Sequence, residues 1–125
     1  MVRTQNFNLN SDPKLACTCG HKDCDKRAVH QEVLDKLQMI RDLVDRPMVV
    51  TSGGRCPNHP NEVHRTVPAD HQKCQGIDIA VNGGVERGEL VLQGLVVGFN
   101  AIGIAKGFVH LGYRDGEQLV VWEYS

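Results

Sequence analysis

Neither sign of charge is in excess in this 125-residue sequence, where 14 lysines and arginines face 15 aspartates and glutamates. A chain without a basic field lacks the electrostatic footprint that nucleic acid or an anionic membrane surface requires. Aromatic residues are scarce too, at three Phe, two Tyr and one Trp, which further disfavours a small nucleic-acid-binding zinc protein. No apolar run approaches the ~18–20 residues of a membrane-spanning helix. The opening Met-Val-Arg-Thr-Gln-Asn has no apolar core of the secretory kind, so synthesis in the cytoplasm without a signal peptide is expected. Repeats and low-complexity tracts are missing. The 5 cysteines are an odd number, and in a reducing compartment they are metal ligands or thiols rather than a disulfide framework. Length predicts one domain over residues 1–125, expected to be monomeric.

What is present reads as an α+β domain, an antiparallel sheet with two main helices. Residues 1–16 are polar without a period, and an extended lead-in is expected there. From Val29 to Asp45 the apolar residues Val33, Leu34, Leu37, Ile40, Leu43 and Val44 recur at helical spacing, and Pro47 stops the helix. Its outer side presents Glu32, Asp35, Lys36, Arg41 and Asp42 to solvent. Met48–Ser52 is a short strand leading into Gly53-Gly54-Arg55-Cys56-Pro57 and a long polar loop over residues 53–75. Gly76–Val81 alternates in strand fashion, with Ile77, Ile79 and Val81 on one face and Asp78 on the other. Gly83-Gly84 is expected to turn the chain, and residues 86–98 to form a second, more buried helix. Phe108–Leu111 and Leu119–Tyr124 read as two strands joined by a turn at Asp115-Gly116.

Three residues stand out chemically. His71 closes the polar loop, Asp78 lies seven residues on, and His110 sits mid-strand between Val109 and Leu111. Two imidazoles and a carboxylate are a sound ligand set for zinc, leaving a fourth position for water. Such a metal brings the pKa of its water towards ~7 and serves hydrolysis at neutral pH. On spacing alone a hydrogen-bonded core histidine and a solvated aspartate remain the simpler readings.

Four segments in order add to this: Ser52-Gly53-Gly54-Arg55-Cys56-Pro57, His71 with Asp78, Gly107-Phe108-Val109-His110, and Trp122-Glu123-Tyr124. Over roughly residues 15–125 the chain resembles the zinc D-Ala-D-Ala carboxypeptidase family, above all its small phage-type members, whose fold is shared with the hedgehog signalling domain. The resemblance implies that His71, Asp78 and His110 hold zinc and that Arg55 anchors or polarises the substrate's carboxylate or carbonyl. It further implies a peptidoglycan stem peptide as substrate, and action on the cell wall after phage-type release or as part of a particle. An arginine suits that role because its planar fork meets a carboxylate with two parallel bonds.

The chain departs from the family pattern at several positions. Ala69 replaces a serine, Cys74 a glycine, Gly76 an alanine and Gly54 a tyrosine. The acidic residue usual near the last histidine is absent, since Gly107 lies three before His110 and Gly112 two after it. A zinc peptidase needs a carboxylate to move the water's proton to the leaving amine. Glu62, Asp70, Asp115 and Glu123 are candidate substitutes, and His59 and His64 candidate proton shuttles. If the missing acid is the defect, Gly112→Asp should raise hydrolysis. The alternative is a non-catalytic zinc-binding module of the same fold. A second, structural zinc is a further candidate at Cys17, Cys19, His21 and Cys24, with Cys56 as another available ligand. Trp122, Tyr124, Phe99 and Phe108 are read as core and wall aromatics.

Overall fold

The computed structural model describes residues 1–124. Helix α1 (Gln31–Val44) buries Val33, Leu34, Leu37 and Ile40, the predicted apolar stripe. It ends at Asp45 in the left-handed region, whose N–H donates to the Arg41 carbonyl. Helix α2 (Gly83–Val97) starts earlier than expected, because Gly83-Gly84 forms its first turn rather than a chain reversal. The Glu86 carboxylate reaches back to accept the Asn82 N–H at 3.0 Å and so caps that turn. The second helix is also less buried than expected: it sinks Leu90, Gly94 and Val97 but leaves Val85, Leu92, Leu95 and Val96 exposed. Lys36, expected to be solvated, instead donates from α1 to the Val97 carbonyl at 3.3 Å, where the helix dipole favours a cation.

Five strands follow the order β1 (Val50–Ser52), β2 (Gly76–Ala80), β4 (Phe108–Gly112), β3 (Ala101–Ile104) and β5 (Val120–Glu123) across one sheet. All pairs are antiparallel except β3 with β5. The fold class is therefore as expected, but the predicted hairpin of the last two strands is not formed. Residues 115 and 116 do turn, yet β3 lies between the two strands. The reason is Asn100, just before β3. Its side-chain amide donates to the Arg114 and Glu117 carbonyls at 2.6 and 3.0 Å, and its oxygen accepts the Arg114 N–H at 2.7 Å. These bonds draw the connection across the start of β3 and deliver β5 to its outer edge. Strand β3, Ala-Ile-Gly-Ile, escaped the sequence reading because its glycine and alanine carry little strand preference.

The lead-in is not simply extended. Pro13–Leu15 is a short 3₁₀ turn, and Phe7 and Leu15 are buried in the same core as α1. Thr4 anchors it by donating to the Gln38 side chain at 2.7 Å.

Strand alternation divides the sheet into two faces. Ile77, Ile79, Val109, Leu111 and Ile102 are fully buried in the core that includes both helices. Residues of opposite parity line up across all five strands: Ser52 opposes Asp78, Asp78 opposes His110, His110 opposes Gly103, and Gly103 opposes Trp122. This polar row carries the site.

Candidate metal centre

The register brings Asp78 and His110 side by side, and the loop before β2 folds His71 over them. All three are buried. The Asp78 Oδ1 atom lies 2.9 Å from His110 Nδ1 and 3.3 Å from His71 Nε2. The two imidazoles meet edge to face, with centroids 4.9 Å apart. One donor atom from each residue falls within 4.8 Å of the others.

The remaining ring nitrogens decide whether such a trio suits a metal. His71 Nδ1 is 2.7 Å from the Gly53 carbonyl, an acceptor that requires the proton on Nδ1 and leaves the Nε2 lone pair facing Asp78. His110 Nε2 is 2.8 Å from Asp70 Oδ2, which holds a proton there and leaves Nδ1 facing Asp78. Two histidines, each with its outer N–H held by an oxygen and its inner nitrogen turned to a shared carboxylate, form a set that fits zinc.

The electrostatics agree. Burial alone would raise the Asp78 pKa, but the His110 and His71 imidazoles beside it outweigh burial and hold the carboxyl well below the usual range. Asp70 is likewise lowered against its burial, by His110, Arg114 and Gln75. Burial would lower the His110 pKa, but the flanking Asp70 and Asp78 carboxylates raise it.

Asp70 resolves one of the sequence departures. A Cβ placed on Gly112 would lie 2.7 Å from Asp70 Oδ2 and 3.1 Å from His110 Nε2. The space beside His110 open to a side chain at 112 is therefore filled by a carboxylate from 70. Gly76, where the family has alanine, makes room for the exchange, since its Cβ would meet Asp70 Cβ and His110 Cε1, each at 2.7 Å. The expectation that Gly112→Asp alone would restore a missing group is corrected: the added carboxylate would collide with one already there. Arg114 Nε (2.9 Å) and Gln75 (3.0 Å) donate to Asp70 Oδ1, which leaves it a positioning partner of His110 rather than a free base.

Arg55 sits at the mouth of the site. Its Nε donates to Ser52 Oγ at 3.0 Å and its Nη1 to Glu62 Oε2 at 3.1 Å, while Nη2 lies 3.8 Å from Asp78 Oδ2. Glu62 is buried and fully engaged, since Arg65 and Gln72 share its other oxygen. Arg55, His64, Arg65, His71, Asp78 and Tyr124 line one open cleft. His59 faces a neighbouring depression instead. Of the other candidate acids, Glu123 and Asp115 are exposed, and Asp115 is engaged by the Tyr113 hydroxyl.

Sequence reasoning read Trp122 and Tyr124 as core and wall aromatics, and Tyr124 does line the cleft, but it overlooked Arg65 and Arg114. Trp122 packs on His110 with centroids 5.4 Å apart, and the Arg114 guanidinium lies 5.6 Å from the centre of its ring. Gly103 permits this, since a Cβ there would lie 2.8 Å from the indole. The signal was present as a strand glycine, which marks close approach of another group.

The family model described as Peptidase M15 matches residues 6–112, and the chain belongs to that family. It is a metallopeptidase family dependent on zinc. No curated protein matches the sequence significantly. Among the described residues, no helix is long and apolar enough to cross a membrane.

Proposed function

We propose that this chain is a zinc-dependent peptidoglycan peptidase of the D-Ala-D-Ala carboxypeptidase or endopeptidase type. The observation that carries the reading is the convergence of His71 Nε2 and His110 Nδ1 on the Asp78 carboxylate beneath a cleft that His71, Asp78 and Arg55 line. Zinc held by these residues supplies Lewis-acid activation of water and of the scissile carbonyl.

The chain's own groups do the rest. Gly53 and Asp70 hold the outer nitrogens of the two imidazoles and so fix the orientation of both rings. Ser52 and Glu62 pin the Arg55 guanidinium, leaving Nη2 pointed into the cleft to meet a peptide's terminal carboxylate or carbonyl. Arg65 adds a second cation for an anionic stem peptide. His64, exposed on the cleft wall, is placed to carry a proton between water and the leaving amine. A monomer acting on the cell wall after phage-type release, or within a particle, is consistent with this substrate.

The non-catalytic module remains the second reading, because Asp70 and Glu62, the buried candidate carboxylates near the centre, are both fully engaged. Release of D-alanine or a cut fragment from purified stem peptides, followed by mass spectrometry, decides between them. Cleavage by the wild type that is lost in His71→Ala and reduced in Arg55→Lys supports the peptidase. A zinc-loaded wild type that cleaves no stem peptide supports the module.

A further inference from the structure

A second cluster lies outside this site, and Cys56, the further ligand that the sequence offered, stands there in place of His21. Cys17, Cys19, Cys24 and Cys56 bring their four sulfur atoms within 4.8 Å of one another. His21, proposed as a ligand from spacing, is exposed and turned away, its Nδ1 accepting the Asp23 N–H at 3.0 Å to shape the turn. The fourth position is taken by Cys56, thirty-two residues beyond Cys24 and adjacent to Arg55. The fifth cysteine, Cys74, is buried and stands apart from the cluster.

We propose that Cys17, Cys19, Cys24 and Cys56 bind a structural zinc ion that ties the N-terminal segment to the loop carrying Arg55. Zinc holds thiolates at about 2.3 Å, so a tetrahedron of sulfurs has edges of about 3.8 Å. Cys19 and Cys56 are already 3.6 Å apart. The chain is bent to assemble the group: Gly20 and Lys26 adopt left-handed backbone at φ 76° and 54°. The Lys26 N–H donates to Cys24 Sγ at 3.3 Å, which fixes that sulfur in the cluster. Binding releases the thiol protons to solvent and leaves a net charge of −2, which Lys22 and Lys26, lining the same surface depression, offset.

The position of the cluster gives it a task. The segment that carries Cys17 and Cys24 is held to its surroundings by few hydrogen bonds, among them Gly54 N–H to the Leu15 carbonyl at 3.1 Å and the Arg27 guanidinium to the Gln72 carbonyl at 2.8 Å. A zinc bridging it to Cys56 locks the residue next to Arg55, so the anchor at the cleft mouth inherits the rigidity of a metal site.

The test uses the full chain purified without added metal, with His110→Ala removing the other centre. Elemental analysis should find one zinc in His110→Ala. Titration with an organomercurial should release that zinc as four thiols react, the fifth reacting independently. Cobalt loaded into the same variant should show the near-ultraviolet sulfur-to-metal charge-transfer band. Cys56→Ser in the wild-type background should lose one zinc of two. If that variant does not fold, the mercurial titration of His110→Ala reads the same quantity. A folded His110→Ala that holds no zinc and binds no cobalt through sulfur overturns the proposal, as does a chain with only three titratable thiols or with iron in place of zinc. One metal per wild-type chain that survives His110→Ala would instead overturn the His71–Asp78–His110 centre and leave this one standing.

Discussion

The two faces of the sheet are built from the same five strands and differ in what a substitution there does. On the helix side, Ile77, Ile79, Val109, Leu111 and Ile102 pack without polar atoms, and their job is complete when they exclude water. On the other side, Asp78 and His110 are also buried and Trp122 half-buried, yet every buried polar side-chain atom among the described residues has a partner. Packing on the first face tolerates any shape of about the right volume. The second face requires particular atoms at particular distances, so a change that leaves volume intact can still abolish it.

Substitutions that separate the two faces make the comparison sharp. The largest functional loss is expected from Asp78→Asn, which keeps the shape but removes the shared charge between the two imidazoles. Metal content at that centre should fall to background, with any peptidase activity falling at least about a hundredfold. Ile77→Ala on the opposite face should cost about 2–5 kcal/mol of stability in chemical denaturation while leaving metal stoichiometry unchanged in the folded fraction. Equal loss of metal in both variants would break the distinction.

Asp70 offers a finer test, because it acts on the metal through His110. Asp70→Ala should weaken zinc binding about 10–100-fold, measured by competition with a chromogenic chelator. Gly112→Asp alone should be destabilising, since its side chain meets Asp70. The double variant Asp70→Ala with Gly112→Asp should recover part of the affinity, because a carboxylate again reaches His110 Nε2. No recovery would mean that the two positions are not exchangeable.

The smallest expected effect concerns pH. In the metal-free protein the lowered carboxyl groups of Asp70 and Asp78 contribute stability that is full above the unfolded value of about 3.9 and is lost as pH falls through the folded one. The raised His110 contributes stability that is full below its unfolded value of about 6.5 and is lost as pH rises through the folded one. Thermal denaturation of the apo protein should therefore be most favourable to the native state between about pH 4 and 6.5. Zinc competes with the His110 proton, so metal affinity should rise with pH over the range where that proton leaves. A flat profile in both measurements would remove the carboxylate–imidazole cluster from the account.

Much of this was readable along the chain because local periodicity dictates it. The stripe of α1 and the alternation in Gly76–Val81 need only nearest neighbours in sequence, and the helical and strand repeats express them directly. His71, Asp78 and His110 were legible from residue type and order. The lead-in, β3 and the placement of β5 were not, for their determinants are long-range: Phe7 finds a core made by α1, and Asn100 steers a loop fourteen residues away.

The amino-acid order alone thus determined which side chains can serve as metal ligands and set the stripe of α1 and the alternation of Gly76–Val81, since those follow from chemistry and period. The tertiary structure alone decided that Asp70, not residue 112, supports His110, that Cys56 rather than His21 completes the thiol cluster, and that Trp122 reaches the site across Gly103. Each is a contact between segments that only strand register and chain crossing bring together, and no local propensity encodes it.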